Sequence, residues 1–206
     1  MQSALRVLLA GGGTAGHINP ALTVADELKA RGAEILFVGT PTGLEADLVP
    51  RAGYPLHPVR VRPLPRRLSL ALVRAVGEAV VGLGQAWRVV GKFRPHVVVG
   101  TGGYVAGPVL LAAAWRGIPT VIHEQNAFPG ATNRALARWV DRVALGYSEA
   151  APYFRQKDKL VFVGNPVRRE VVTARKADGL KKLGLVPDRL TVIIFGGSRG
   201  ARSIHE

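Results

Sequence analysis

Residues 5–17 decide the fold, and they read Leu5-Arg6-Val7-Leu8-Leu9-Ala10-Gly11-Gly12-Gly13-Thr14-Ala15-Gly16-His17. A short apolar run that ends in glycines is typical of a β-strand followed by a tight turn and a helix. The glycines also fit the pattern G-x-G-x-x-G, in which backbone N–H groups approach a phosphate at the N-terminus of the helix. The alternative interpretation is a turn that only packs the helix against the strand.

The alternation of apolar runs and helical patterns continues along the chain. We predict strands at 5–10, 34–38, 54–61, 96–100, 120–123, 142–145 and 160–163. The predicted helices include one that Asn19 caps and Pro20 begins, one that opens on the capping-box spacing from Thr42 to Glu45, and a long one at 68–93. This order indicates an α/β fold with a Rossmann-like, doubly wound parallel sheet, which binds ligands at the carboxyl ends of its strands.

All seven predicted strands lie within residues 1–163, which we therefore predict to form one domain. Residues 164–188 are polar and basic, and we interpret them as a linker with a short helix. A further apolar run precedes the loop Gly196-Gly197-Ser198-Arg199-Gly200-Ala201. Residues 189–206 are therefore predicted to be the first strand and glycine loop of a second, truncated domain.

Charge narrows the class of partner. The 206 residues include 28 Lys and Arg against 14 Asp and Glu, a formal net charge of +14. Such a surface attracts phosphate-rich partners such as nucleic acid, anionic lipid or nucleotide sugars. The sequence has no basic stripe interleaved with aromatic residues, so a nucleic-acid-binding module is not indicated. The lack of cysteine and of H-E-x-x-H or D-x-D patterns predicts that there is no metal site, and no cofactor is expected.

A second glycine loop follows the strand predicted at 96–100, and it reads Gly100-Thr101-Gly102-Gly103-Tyr104-Val105-Ala106-Gly107-Pro108. No Gly-Lys-Ser/Thr follows either loop, which argues against phosphate cleavage by a P-loop enzyme. Two such loops on one sheet predict a divided cradle for an anion.

Polar side chains accompany these loops. His17 lies beside the first loop, and histidine suits proton transfer. The run His123-Glu124-Gln125-Asn126 follows another predicted strand, where polar side chains favour a ligand site over four separate structural roles. The second strand ends without the acidic residue that a dinucleotide site requires, so an enzyme that uses NAD is disfavoured.

Six motifs together resemble the MurG family of peptidoglycan glycosyltransferases over essentially the whole chain. They are Gly12-Gly13-Thr14-Ala15-Gly16-His17, Glu45-Ala46-Asp47-Leu48-Val49-Pro50, Gly102-Gly103-Tyr104-Val105-Ala106-Gly107-Pro108, His123-Glu124-Gln125-Asn126, Gly164-Asn165-Pro166-Val167-Arg168 and Gly196-Gly197-Ser198-Arg199-Gly200-Ala201. The resemblance implies a GT-B architecture of two Rossmann-like domains, of which this chain holds the first and only the start of the second.

The resemblance also implies an activity. It is the inverting transfer of N-acetylglucosamine from UDP-N-acetylglucosamine to the muramoyl 4-hydroxyl of undecaprenyl-diphospho-muramoylpentapeptide. A donor site divided between two domains predicts that this chain alone is inactive. The rival hypothesis is a non-catalytic module that binds a diphospho-lipid or acts as a scaffold.

By the same resemblance, individual residues receive roles. His17 or Glu124 would serve as the general base or orient it. The acceptor diphosphate would lie against Gly12, Gly13, Gly102, Gly103 and Tyr104, and the UDP-sugar against Thr14, Ala15, Gly16, Asn126, Arg168 and Ser198. Ala15 stands where the family usually has glycine, and its methyl group would be strained if this turn required a positive φ.

A lipid-linked acceptor implies a peripheral location at the cytoplasmic side of the cell membrane. The membrane face is predicted to comprise Arg60, Arg62, Arg66, Arg67 and Leu68, whose arginines would pair with anionic headgroups. The apolar C-terminal tail is predicted either to be mobile or to pair with another copy in a homodimer.

Overall fold

The structure is a computed structural model that describes residues 4–63, 65, 70–187 and 189–194. The chain divides into two units, Met1–Pro166 and Val167–Glu206. Among the predicted site residues, Arg66, Arg67, Leu68 and Ser198 lie outside the described residues.

The first unit is built on one parallel sheet. Its strands are β1 (Arg6–Gly11), β2 (Glu34–Gly39), β3 (Leu56–Pro58), β4 (Val97–Gly102), β5 (Thr120–Glu124), β6 (Arg142–Leu145) and β7 (Leu160–Phe162), in the order β3-β2-β1-β4-β5-β6-β7. Every neighbouring pair is parallel. The predicted α/β, Rossmann-like fold is therefore confirmed. The strand that contains Pro58 lies at an edge, as predicted, because proline has no N–H for a ladder.

Helices cover both faces of the sheet. They are α1 (Ala15–Ala30), α2 (Glu45–Arg51), α3 (Leu70–Phe93), α4 (Ala106–Trp115) and α5 (Ala131–Leu136), and 3₁₀ turns lie at Ser148–Tyr153 and Lys157–Lys159. Alternate residues of β1 serve the two faces: Val7 and Leu9 pack with α1 and α2, whereas Leu8 and Ala10 pack with α3, α4 and α5. The two apolar layers fix the sheet between the helices.

The first helix begins earlier than predicted. Thr14 is extended (φ −144°) and its carbonyl accepts the first helical bonds, so α1 starts at Ala15 rather than after Asn19. Pro20 lies inside α1 and removes only the bond that its N–H would have donated to Gly16, which is exposed to solvent. Pro20 was therefore wrong as a marker of the helix start.

The capping box predicted for α2 does not form. Leu44 occupies the N-cap position, and no side chain caps this helix. Glu45 instead turns its carboxyl group inward, toward the first glycine loop.

The buried residues of the long helix α3 include several small ones. Ala75, Gly82 and Ala86 are buried, and a Cβ atom on Gly82 would lie 2.4 Å from the Arg60 carbonyl oxygen. Apolar residues repeated at helical spacing are typical of a buried face, but several on this helix are exposed, namely Val73, Val76, Val80 and Trp87. The exposed side of α3 therefore carries an apolar strip.

The second unit contains α6 (Arg169–Thr173) and α7 (Lys176–Leu183). Residues 190–194 form no strand, and the rest of the predicted strand and its glycine loop lie outside the described residues. Within the described part of the chain, no helix combines the length and the apolarity that crossing a bilayer requires.

Candidate functional site

The site lies where the winding of the sheet reverses. From β1 the chain proceeds to β2 and β3 on one side, and it returns through α3 to place β4 on the other side of β1. The loops after β1, β4 and β5 therefore leave the same edge of the sheet, around the crevice between β1 and β4. In open parallel sheets this crevice is the usual place for a ligand.

The two glycine loops touch each other directly. A Cβ atom on Gly103 would lie 2.3 Å from the Gly12 carbonyl oxygen, and the Gly12 amide donates to the Gly102 carbonyl over 3.4 Å. Gly102 and Gly103 have φ values of 105° and 80°, and Gly13 has 83°. Only glycine meets both demands without strain, so the loops predicted to share a ligand do lie together.

His17 projects from the first turn of α1 into this junction. Its Nδ1 lies 3.2 Å from the Gly12 carbonyl oxygen and 3.2 Å from Thr14 Oγ1. The Thr101 hydroxyl donates to the His17 carbonyl over 2.7 Å and so ties this turn to β4. Nε2 makes no hydrogen bond to any described residue, and a Cβ atom on Gly102 would lie 3.1 Å from it. The outer ring nitrogen therefore lies beside the second glycine loop without a hydrogen-bond partner among the described residues.

Glu124 ends β5 and organises the third loop. Its side chain is 1% exposed. One oxygen accepts from the backbone and side-chain amides of Asn126 (3.0 and 2.9 Å), and the other accepts from the Gly130 amide (3.1 Å) and Asn133 Nδ2 (2.9 Å). Since both oxygens are occupied, the geometry favours orientation of Asn126 over direct proton transfer.

His123 joins β5 to the end of the first unit. Nε2 lies 3.0 Å from the Gly164 carbonyl oxygen, so this nitrogen carries the proton, and Nδ1 accepts from Gln125 Nε2 at 3.0 Å. Burial lowers the pKa of His123, and the Gly164 carbonyl and the charge of Glu124 oppose this only in part. The residues of this polar run therefore have different roles. His123 makes structural hydrogen bonds, whereas Asn126 is exposed at the edge of the crevice.

We expect His123 to make stability depend on pH. Because the pKa is lowered in the folded state, the unfolded chain takes up a proton as pH falls below about 6.5, while the folded chain does not. The free energy of unfolding should therefore decrease with falling pH, until His123 is protonated in both states. In His123→Gln, the amide can still donate to Gly164 but cannot take up a proton. The free energy of unfolding, measured with urea at several values between about pH 7.5 and about pH 5.5, should therefore change less with pH in this variant. If the free energy of unfolding depended on pH equally in the variant and the unaltered chain, His123 would not be a neutral, buried residue in the folded state.

The remaining predicted residues are placed as follows. Thr14, Ala15 and Gly16 form the N-terminus of α1 beside His17, and Tyr104 packs its ring against Gly13. Ala15 is helical, and among the described non-glycine residues only Arg94 has a positive φ. The methyl group of Ala15 therefore causes no backbone strain. Arg168 belongs to the second unit. No group of three or more His, Asp or Glu side chains that could hold a metal occurs among the described residues.

Residues 7–145 match the model of the glycosyltransferase family 28 N-terminal domain. The chain belongs to this family. The match runs from β1 to β6 and so includes all three loops of the crevice.

Relatives of this family 28 domain have one recurrent name. Proteins of Thermoanaerobacter sp. (strain X514) and Ruminiclostridium cellulolyticum are 50% and 51% identical to it over 98% of this chain. Both are named UDP-N-acetylglucosamine--N-acetylmuramyl-(pentapeptide) pyrophosphoryl-undecaprenol N-acetylglucosamine transferase. The crystal structure of Acinetobacter baumannii MurG matches 80% of the chain with 32% identity and a TM-score of 0.65. The resemblance to MurG is thereby confirmed.

The family 28 domain spans only part of these relatives. It covers 56% of both bacterial proteins and 47% of the Acinetobacter chain. The comparisons therefore show the family to which the domain belongs.

Sequence reasoning missed two residues of this site. Asn133 is 2% exposed, and its side-chain amide donates to both Glu124 and the His123 carbonyl. Glu45 accepts a hydrogen bond from the Gly13 amide of the first glycine loop. Asn133 gave no signal, because an isolated asparagine in a helix is ordinary. For Glu45 the sequence does give a signal, the spacing from Thr42, but that spacing predicts a helix cap.

Proposed function

We propose that this chain supplies the acceptor-binding half of an inverting N-acetylglucosaminyltransferase of peptidoglycan synthesis. The donor would be UDP-N-acetylglucosamine, and the acceptor the 4-hydroxyl of an undecaprenyl-diphospho-muramoylpentapeptide. The observation that carries the proposal is His17 Nε2, which lies at the junction of two touching glycine loops and has no hydrogen-bond partner among the described residues. The names of the relatives, which specify this donor and acceptor, support it.

The acceptor diphosphate would be held by backbone amides, but not by all those predicted. The Gly12 and Gly13 amides already donate to Gly102 and Glu45. The amides at 14–16 and 103–105 make no hydrogen bond to other described residues, and they lie at the N-termini of α1 and α4. Helix N-termini attract anions. We therefore assign the acceptor diphosphate to Gly103–Tyr104 and to Thr14–Gly16, which the family resemblance gives to the UDP-sugar, while Gly12, Gly13 and Gly102 shape the turns.

In the proposed reaction His17 Nε2 removes the proton from the acceptor hydroxyl as its oxygen attacks the anomeric carbon of the donor. The bond from that carbon to UDP breaks on the opposite face, which inverts the configuration. Asn126, held by Glu124, would contact the donor sugar at the crevice edge.

The test is complementation of the chain by the part of the Thermoanaerobacter relative that lies beyond the match. We expect no transfer from radiolabelled UDP-N-acetylglucosamine by the chain alone, because half of the donor site would be absent. Transfer should appear when the two polypeptides are combined. Retention of diphospho-lipid by the chain without transfer in the mixture would favour the non-catalytic binding module.

We further propose that the chain meets the membrane through α3. Val73 and Val80, which lie on the apolar strip of this helix, are 69% and 64% exposed. Arg60 is exposed beside this helix, whereas Arg62 pairs with Glu78 at 2.5 Å. A surface that combines arginines with apolar side chains suits the headgroup region of an anionic leaflet.

Binding to vesicles tests this face. We expect Arg62→Ser/Arg66→Ser/Arg67→Ser to weaken sedimentation with anionic vesicles, since each arginine contributes about 1 kcal/mol near such a surface, and added salt should have the same effect. The matched control is Lys29→Ser/Arg31→Ser/Arg51→Ser, which removes equal charge from α1, α2 and their ends on the opposite face of the sheet. Equal binding by both variants would contradict the assignment.

We also propose that the chain forms a homodimer through its second unit. Leu190, Val192, Ile193 and Ile194 are exposed. An exposed apolar segment of high β-propensity tends to pair with another chain. Dimerisation through this segment should depend on concentration and disappear in Val192→Lys/Ile194→Lys.

A further inference from the structure

Glu45 is a completely buried acid that the proposed reaction does not use. Its side chain has 0% exposure although it begins α2, where an acid normally faces solvent. Burying a carboxyl group is costly unless hydrogen bonds compensate for the lost water.

The compensation comes from three donors on two loops. Glu45 Oε1 accepts from the Thr40 amide at 3.0 Å and from the Thr40 hydroxyl at 2.6 Å, and Oε2 accepts from the Gly13 amide at 3.0 Å. The Thr40 hydroxyl itself accepts from the Gly43 amide at 3.1 Å, so its proton is directed at Glu45. Every partner is a donor, and the group that satisfies all of them is a carboxylate.

Three glycines make room for this carboxylate. Cβ atoms on Gly12, Gly39 and Gly43 would lie 2.6, 2.6 and 2.4 Å from side-chain atoms of Glu45. No larger residue fits at these positions without displacing the acid. The chain thus builds an enclosed compartment for one side chain directly behind the loop that carries His17.

The Gly12–Gly13 peptide connects this compartment to the site. In a trans peptide the N–H and the C=O point in opposite directions. The N–H, from Gly13, donates to Glu45, and the C=O, from Gly12, faces His17 Nδ1 at 3.2 Å. Since a carbonyl oxygen can only accept, this contact places the proton of the neutral ring on Nδ1 and leaves the lone pair on Nε2, the nitrogen beside Gly102.

We infer that Glu45 is a positioning residue that fixes the tautomer of His17 through the Gly12–Gly13 peptide bond. The inference rests on the proposed role of His17 as general base. The carboxylate holds the peptide plane in one orientation and polarises it, and hydrogen bonds in such a chain strengthen one another. Without Glu45, the Thr14 hydroxyl, which also lies 3.2 Å from Nδ1, can donate to that nitrogen and stabilise the opposite tautomer.

The decisive variant is Glu45→Gln. Glutamine keeps the shape, and its oxygen satisfies both Thr40 donors, but its NH₂ group then faces the Gly13 amide, donor against donor. If the side-chain amide were flipped, its NH₂ group would face both Thr40 donors, and this orientation is less favourable because two hydrogen bonds are lost instead of one. The variant therefore removes the Gly13 bond selectively, and the loss of one such bond should change the ratio of the two neutral tautomers of His17 about fivefold or more.

The readout is the ¹⁵N NMR spectrum of the histidine rings in the chain as it stands, with His17 assigned through His17→Asn. We expect the proton on Nδ1 in the unaltered chain and a shift toward Nε2 in Glu45→Gln, together with faster hydrogen exchange at the Gly13 amide. The matched control is Thr120→Val, which removes a buried hydroxyl bond to a carboxylate at the opposite end of the sheet (Thr120 to Asp141, 2.8 Å). Its His17 spectrum should not change.

Two results would overturn the inference. One is a proton on His17 Nε2 in the unaltered chain, which needs no variant to fold. The other is a folded Glu45→Gln with an unchanged His17 spectrum. Failure of the proposed function would look different, because the ring signature would be as expected while the complemented enzyme transferred no sugar.

Discussion

His17→Asn should reduce sugar transfer by the complemented enzyme about 10²–10⁴-fold, the range that a general base contributes. Asparagine retains an amide nitrogen that can donate to the Gly12 carbonyl, as Nδ1 does, so the turn should survive. What the variant lacks is a basic nitrogen at the position of Nε2. The loss should therefore appear in kcat, with little change in the KM for UDP-N-acetylglucosamine.

His57→Asn is the control for this experiment. His57 is an exposed histidine on β3, away from the crevice between β1 and β4, and its replacement should leave the rate within about twofold. A His17→Asn enzyme with a similarly small effect would show that another group removes the proton, and Glu124 would become the first alternative.

Glu124→Ala should lower the free energy of unfolding of the first unit by about 3 kcal/mol, because donors are left without a partner. Asn126 is exposed, and water can replace its bonds. Asn133 is 2% exposed, however, and its Nδ2 would keep only the 3.3 Å contact to the His123 carbonyl. Urea unfolding followed by tryptophan fluorescence measures the change.

Two variants bracket the expected loss. Glu149→Ala removes an exposed carboxylate and should change stability by less than about 0.5 kcal/mol. Glu124→Gln keeps the volume but turns an NH₂ group toward either Asn126 or the pair Gly130 and Asn133, and should fall between the two. If Glu124→Ala were as stable as Glu149→Ala, the carboxylate would not be what organises this loop.

The seven strands of the sheet and the meeting of two glycine loops could be predicted from the sequence because both depend on local signals. Apolar runs bounded by glycine marked β1 and β4, and the alternation with helices implied that their carboxyl ends share one edge. Glycine-rich turns after two neighbouring strands then indicated a joint anion site. The structure places those turns in contact, with Gly103 against Gly12.

The errors concern interactions between residues that are distant in the sequence. Glu45 matched a capping box locally, but its partner Gly13 lies on another loop, and only the packing of α2 beside β1 brings them together. Pro20 matched a helix start, although the turn that sets α1 is fixed by contacts to β4. On α3, the apolar spacing could not distinguish residues that face the sheet from those on the exposed strip.

The strand order also has a consequence for synthesis on the ribosome. β1 pairs with β2 soon after both emerge, but its other neighbour, β4, begins only at Val97. At about 5–20 residues per second, the interval from Gly11 to Val97 lasts roughly 4 to 17 seconds. During this time one edge of the most buried strand is unpaired in the nascent chain. Translation speed across residues 40–96 should therefore influence how much of the protein reaches its native state, because that edge can pair with other chains until β4 arrives.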